Sequence, residues 1–279
     1  MDFLIGYYAT LVFILGLVVG SFLNVVIYRV PAEESIVRPP SHCPKCNTQL
    51  KNLDLVPVFS WLFLRGKCRY CQVKIPARYA LVELLTGILF LAFFIRFEMM
   101  SPNLISGLPS LLAGLTFTAI LIAIFFIDID HQIIPNGLVI VATIAGAGVV
   151  LLNAFAGYKF FLDQLWWEHL LGVLPGVIAM ILIMVLGAII YKKEALGMGD
   201  VKIFIPIGLF LGWKLAIAVL IIAIIAGGIG GVILMLTRKA DRSSAMPFGP
   251  FIVFGAVVAM LANTQLIQIA NWYFGLFIK

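Results

Sequence analysis

Charge is what this sequence has least of. Asp, Glu, Lys and Arg make up 11% of its 279 residues, and only 13 residues are acidic. A water-soluble domain carries about 25% charged residues. Here 63% of the chain is hydrophobic and the mean hydropathy is +1.12, more apolar surface than a soluble core can use. That composition excludes a soluble globular enzyme and makes the lipid bilayer the solvent. A basic stripe is also missing. The formal net charge of +6 is spread over short loops with no interleaved aromatic residues, which argues against nucleic acid as a partner. There is no internal repeat and no low-complexity tract. No Gly-x-Gly-x-x-Gly run opens a helix after a strand, so no dinucleotide-type domain is expected. The first apolar run, 3–27, lacks the basic n-region of a secretory signal: only Asp2 precedes it, and Arg29 is the first basic residue. It reads as a retained transmembrane helix.

About 20 apolar residues cross a hydrocarbon core of ~30 Å. Segments of that kind lie at 3–27, 79–97, 107–128, 137–156, 169–191, 201–213, 215–237 and 248–275. The sixth contains Pro206 and Gly208 and is short, giving only ~20 Å of helix. Counting it as a crossing, with the N-terminus outside, puts Arg29, Arg38, Lys45, Lys51, Arg65, Lys67, Arg69, Lys74, Arg78, Lys192, Lys193, Lys202, Arg238, Lys239 and Arg242 on the cytoplasmic side. Only Arg96, Lys159, Lys214 and Lys279 stay outside. This arrangement obeys the positive-inside rule. The expected fold is an all-α polytopic membrane protein of about eight transmembrane helices with a small cytoplasmic insert. The expected domains are a first transmembrane helix (1–28), the insert (29–78) and a helical bundle (79–279).

All four cysteines fall in the insert, as Cys43-Pro-Lys-Cys46 and Cys68-Arg-Tyr-Cys71, with 21 residues between the pairs. Two such knuckles can present four thiolates tetrahedrally to one zinc ion. Two disulfides are the rival reading, disfavoured on a reducing cytoplasmic side. A redox pair is a third, weakened by the second copy and by the lack of a βαβ pattern. An insert of this size buries little core, so a structural zinc staple makes physical sense.

Acids at membrane depth are costly and point to function. Glu83, Asp128, Asp130 and Asp200 lie within or at the mouth of apolar segments. Asp128 ends a long apolar run, and Asp200 follows Gly197-Met-Gly199 at the start of the sixth segment. Two crossings separate them, so both return to the same face and can meet. Two adjacent carboxylates share a proton, which is the arrangement an aspartic protease needs. Gly197 and Gly199 would let the backbone turn sharply and approach a substrate strand. Blander readings exist for each acid. Asp200 can be a helix N-cap, Asp130 and His131 can be merely solvated, and Glu83 can snorkel or pair with Arg78. Asn24, Arg29 and Glu83 are polar groups at the same boundary. They are candidates for substrate or cofactor contact, or for plain helix packing.

Gly197-Met-Gly199-Asp200-Val-Lys202 resembles the signature of the GxGD intramembrane aspartic proteases. Asp128-Ile-Asp130-His-Gln-Ile-Ile-Pro135 resembles the first aspartate motif of the bacterial type IV prepilin peptidases. Gly20-Ser-Phe-Leu-Asn24-Val-Val-Ile-Tyr-Arg29, the paired CxxC insert, Arg78-Tyr-Ala-Leu-Val-Glu83 and Pro247-Phe-Gly-Pro250 are similar to further stretches of that family. The resemblance covers nearly the whole chain. It implies an enzyme of the bacterial cytoplasmic membrane that removes the leader of prepilins or pseudopilins at the cytoplasmic face. The cut falls after a Gly, before a hydrophobic helix that usually begins with Phe. It also implies methylation of the new N-terminus with S-adenosylmethionine. Carried over by motif, Asp128 and Asp200 are the catalytic pair, Gly197, Gly199 and Lys202 support it, and Asp130 is a neighbour. The departures are Asn136 and Ala80, where many members have Asp and Pro. Other readings are a peptidase without methylation, a carboxylate-lined proton-coupled transporter, and a zinc-stabilised membrane adaptor.

Overall fold

A computed structural model describes residues 2–100, 104–162, 164–191, 197–237 and 246–277. Among these the protein is helical, with only two isolated β-bridges, His42 to Gln49 and Lys67 to Lys74. The chain divides into two compact units: Met1–Pro102 with Leu121–Ala123, and Asn103–Ile120 with Ile124–Lys279.

In the first unit, α1 (Asp2–Arg29) packs against α3 (Arg78–Met100), with the cysteine insert between them in sequence. Small residues bring the two helices together, as they do where lipid leaves no hydrophobic drive for association. A Cβ on Gly16 would lie 2.7 Å from the Cα of Gly87, and one on Gly20 would lie 2.6 Å from the Cα of Glu83. Leu17, Leu23, Val82, Phe90 and Phe94 fill the seam. The insert holds a 3-10 turn (Asn52–Asp54) and the short α2 (Phe59–Phe63).

The second unit contains α4 (Leu104–His131) apart from Leu121–Ala123, α5 (Asn136–Ala156), α6 (Trp166–Leu171), α7 (Val173–Tyr191), α8 (Met198–Lys202), α9 (Phe204–Leu236), α10 (Gly249–Leu261) and α11 (Asn263–Phe277). Helix α9 is its centre, packed by α5, α6, α7 and α10. Phe210 on α9 stacks on Phe117 of α4 with ring centroids 4.1 Å apart. Gly172 and Gly208 approach so closely that a side chain on either would run into the other's backbone.

Six helices among the described residues are long and apolar enough to cross a membrane: Leu4–Arg29, Arg78–Phe97, Gly107–His131, Asn136–Ala156, Trp166–Ile190 and Phe204–Leu236. The all-α membrane architecture is as expected, with two differences in detail. The segments 201–213 and 215–237 fall on α8 and α9, and α9 is interrupted at Gly212 (φ 72°, ψ 175°). The last segment, 248–275, is a bent pair, Gly249–Leu261 and Asn263–Tyr273, at 91°; counted as one span it makes a seventh. Asn263 explains the bend. Its side chain donates to the carbonyl of Phe161 and accepts from the amide of Thr264 at 2.6 Å, local bonds that compete with a continuous helix. Lys192, Lys193, Arg238, Lys239, Arg242 and Lys279, used in the charge argument, lie outside the described residues.

The backbone at Gly212 is open essentially to glycine alone, and the Gln164 side chain covers its Cα. Gly212→Ala therefore costs about 1–3 kcal/mol in backbone strain before any steric conflict. It lowers the midpoint of thermal unfolding in detergent; a midpoint equal to that of the wild type would contradict this backbone path.

Candidate active site and metal centre

Asp128 sits in the last turn of α4, and its side chain is buried. The helix ends three residues later at His131, and Gln132 takes φ +54°, turning the chain away. Asp200 is the third residue of α8 and is also buried. The link between α4 and α5 holds the two acids in one neighbourhood. A Cβ on Gly199 would be 3.0 Å from the Cβ of Ile134, so glycine permits α8 to lie against that link. Lys202 donates from Nζ to Oδ1 of Asn136 at 3.1 Å, tying α8 to the start of α5. Gly197 caps α8 in an extended conformation open to any residue, and a Cβ there would meet nothing closer than 3.8 Å. Asp130 and His131 are exposed.

Loss of water around Asp200 raises its carboxyl to about 6, and the charge of Asp128 adds to the rise. The two acids are thus near enough to repel. Oδ2 of Asp128 is buried with no hydrogen-bond partner among the described residues, although the Gly249 amide acts on the carboxyl. Gly249, at the start of α10, closes over it: a Cβ there would stand 2.5 Å from Oδ2. Gly249 was not singled out from the sequence as a site residue. Its signal was the Pro-Phe-Gly-Pro run, in which Pro250 starts a helix and glycine leaves room for the carboxyl.

The four cysteines converge. Their sulfurs all lie within 4.8 Å of one another, and none is in a disulfide. The Sγ atoms of Cys43 and Cys71 are 3.8 Å apart. That matches the edge of about 3.8 Å expected of a tetrahedron with zinc–sulfur bonds of ~2.3 Å. The two knuckles are one turn built twice. Cys43 donates its amide to Thr48 and accepts from Asn47; Cys68 does the same with Val73 and Gln72. Asn47 and Gln72 both take positive φ. Hydrogen bonds from the Thr48 side chain and amide lower the Cys46 thiol to about 6. The Val73 amide pulls Cys71 downward, but desolvation and the neighbouring sulfurs push it to about 11. Four thiolates at this spacing repel one another, and a dication removes the conflict. Asp54 braces the second knuckle, accepting from Arg69, from the Tyr70 hydroxyl at 2.9 Å and from the Lys51 amide at 3.0 Å.

The other sequence candidates also lie in the first unit. Asn24 donates to the carbonyl of Tyr79 at 3.0 Å, joining α1 to the start of α3. Arg29 is buried, and its guanidinium is committed to the carbonyls of Ser35 (2.9 Å) and Pro39 (2.7 Å). Glu83 accepts the amide of Val58 at 2.7 Å. All three line one cavity of about 480 Å³.

Residues 14–97 match the family described as Bacterial Peptidase A24 N-terminal domain, and residues 115–232 match the Type IV leader peptidase family. A prepilin leader peptidase/N-methyltransferase of Myxococcus xanthus is 38% identical over 229 residues, spanning 82% of this chain and 64% of that protein. One from Aeromonas hydrophila is 33% identical over 290 residues, 95% and 93% of the two chains. A type 4 prepilin-like proteins leader peptide-processing enzyme of Escherichia coli is 34% identical over 263 residues, 88% and 90%. No solved structure matches the chain.

The cysteine geometry predicts one thiophilic metal ion per chain. Elemental analysis of the purified protein should find about one zinc, and Cys68→Ser should lose most of it. Full zinc retention by that variant would remove Cys68 from the ligand set.

Proposed function

The chain belongs to the Type IV leader peptidase family, and on that premise we propose that it cuts the leader from type IV prepilins or pseudopilins with Asp128 and Asp200 as its catalytic pair. It is a membrane aspartic peptidase, and its relatives are also named as N-methyltransferases. The observation that carries the catalytic assignment is the placing of two buried carboxylates, from α4 and α8, close enough for one charge to act on the other.

The division of labour follows from their surroundings. Asp200, raised to about 6, holds the proton and polarises the scissile carbonyl. Asp128 serves as the base, and its Oδ2 takes a proton from the attacking water. Water oxygen bonds to the carbonyl carbon, the C–N bond breaks, and the proton held on Asp128 passes to the departing amine. Gly199 and Lys202 set the height of α8 against the α4–α5 link and keep the acids in register. Gly197, as the N-cap of α8, starts the helix that carries Asp200.

The same reading makes residues 29–78 a zinc-stapled cytoplasmic insert between a first transmembrane helix (1–28) and the peptidase bundle (79–279). The protein is multi-pass in the bacterial inner membrane. The N-terminus is outside and both acids are at the cytoplasmic face, because with 201–213 and 215–237 each crossing, on either side of the break at Gly212, that orientation places most Lys and Arg inside. S-adenosylmethionine, when bound, supplies an electrophilic methyl group to the amine that cleavage exposes.

Asp128→Asn and Asp200→Asn each reduce leader cleavage by about 10³-fold or more while leaving membrane insertion intact, as product masses from a prepilin assay in liposomes would show. Substantial cleavage by either variant would refute the pair. Since the raised group must be protonated, cleavage declines as pH rises through about 6. A rate that climbs across that range would reverse the assignment of acid and base.

A further inference from the structure

The cysteine insert carries an exposed apolar face on its one short helix. Helix α2 reads Phe59-Ser-Trp-Leu-Phe63. Trp61 turns inward: its indole donates to the carbonyl of Ile75 at 3.1 Å, and a Cβ on Gly66 would be 2.9 Å from its ring. Phe59, Leu62 and Phe63, spaced i, i+3 and i+4, share the other side of the helix, and all three are exposed. Phe63 is the extreme case, with 83% of its surface open. Two phenyl rings and a leucine gathered on one exposed face mark a surface that meets something other than water.

One hydrogen bond sets the level of that face against the bilayer. Oε2 of Glu83 accepts the amide of Val58 at 2.7 Å. Glu83 lies ~7.5 Å along α3 from Arg78, where the apolar span Arg78–Phe97 begins. Across the seam it meets Gly20, well inside the span Leu4–Arg29. Side chains on a helix lean toward its N-terminus, so Val58 lies within those first ~7.5 Å of the span. Val58 itself takes φ 61°, ψ −50°, and the amide of Phe59 closes back on the carbonyl of Pro57 at 2.6 Å, a γ-turn of the strained hand. A β-branched residue avoids that region, and the bond to Glu83 helps to hold it there. The turn therefore delivers α2 at the edge of the span. Helices that lie in a membrane interface bury their apolar faces to ~5–10 Å, which is the same depth.

Charge points the same way. Residues 29–78 hold nine basic and three acidic side chains, and one of the three acids, Asp54, is bound to Arg69. Arg65 and Lys67 follow α2 directly, and both are exposed. An aromatic and aliphatic face followed by basic residues suits the boundary between acyl chains and anionic headgroups. We propose that α2 is an interfacial anchor: Phe59, Leu62 and Phe63 enter the acyl boundary of the membrane that α1 and α3 span, and Arg65 meets its anionic phosphates. The insert is then fixed to the bilayer at three places, the end of α1, the start of α3 and α2 between them. This role needs only that α1 and α3 cross the membrane, and it is independent of the catalytic pair.

Photocrosslinking of the full-length protein in liposomes tests the contact directly. The probe is p-benzoylphenylalanine in place of Phe63, which on ultraviolet illumination bonds to the C–H groups it touches. The same probe in place of Ile88, an exposed residue inside the α3 span, gives the lipid-facing reference. A phospholipid mass on the peptide containing residue 63 supports the anchor. Crosslinking there to a second copy of the chain or to an added prepilin instead of lipid overturns it. So does an unlabelled residue 63 beside a lipid-labelled residue 88, which would mean that the face is open to water. Arg65→Gln tests the charge. It should roughly halve the lipid adduct at residue 63 in liposomes containing phosphatidylglycerol and leave it unchanged in phosphatidylcholine alone. An undiminished yield in the anionic liposomes overturns the contact of Arg65 with the phosphates.

Discussion

A carboxylate in an apolar helix is tolerable only if its surroundings deal with its charge, and this constraint organises both units of the protein. Glu83 is satisfied by hydrogen bonding: it accepts a backbone amide from the insert, and that bond holds a strained turn in place. Burial and the charge of Asp128 raise Asp200 to about 6, so it takes up a proton more readily than an ordinary carboxylate. Asp128 keeps an oxygen that no group among the described residues satisfies. The first acid is a strut, whereas the other two lie close enough for one charge to act on the other.

Close backbone contact is the second theme, and it follows from the solvent. In a bilayer, apolar side chains gain little by leaving lipid for protein, so helices associate where small residues let them touch. Gly16 and Gly20 against Gly87 and Glu83 do this for α1 and α3; Gly172 and Gly208 do it in the second unit. Gly199 and Gly249 apply the same device around the two acids, one admitting Ile134 and the other admitting the carboxyl of Asp128.

Much of this was legible in the sequence, for physical reasons. Long apolar runs announce helices of membrane length, and the spacing of Cys43, Cys46, Cys68 and Cys71 announces a closed four-sulfur site. The parity of crossings between Asp128 and Asp200 allowed the pair to meet. Features set by a single side chain or dihedral were hidden. The bend before Asn263 sits at one polar side chain bonded to nearby backbone, and hydropathy runs through it without a signal. The interruption of α9 sits at one glycine among many. The contact of Gly249 with Asp128 joins positions far apart in the chain, and Val58, an ordinary apolar residue in sequence, gives no sign of its backbone strain. Gly197 shows the opposite case: its motif was plain, yet its conformation here asks nothing of glycine.

Asp128, Asp200 and Gly249 enter the chain in that order, separated by long helices. A ribosome therefore delivers the first acid well before the second, and the residue that closes over the first emerges later still. Until α10 has been made and inserted, the growing polypeptide has its acids without their enclosure. On the proposed assignment of Asp128 and Asp200, proteolytic competence is a property of the finished chain.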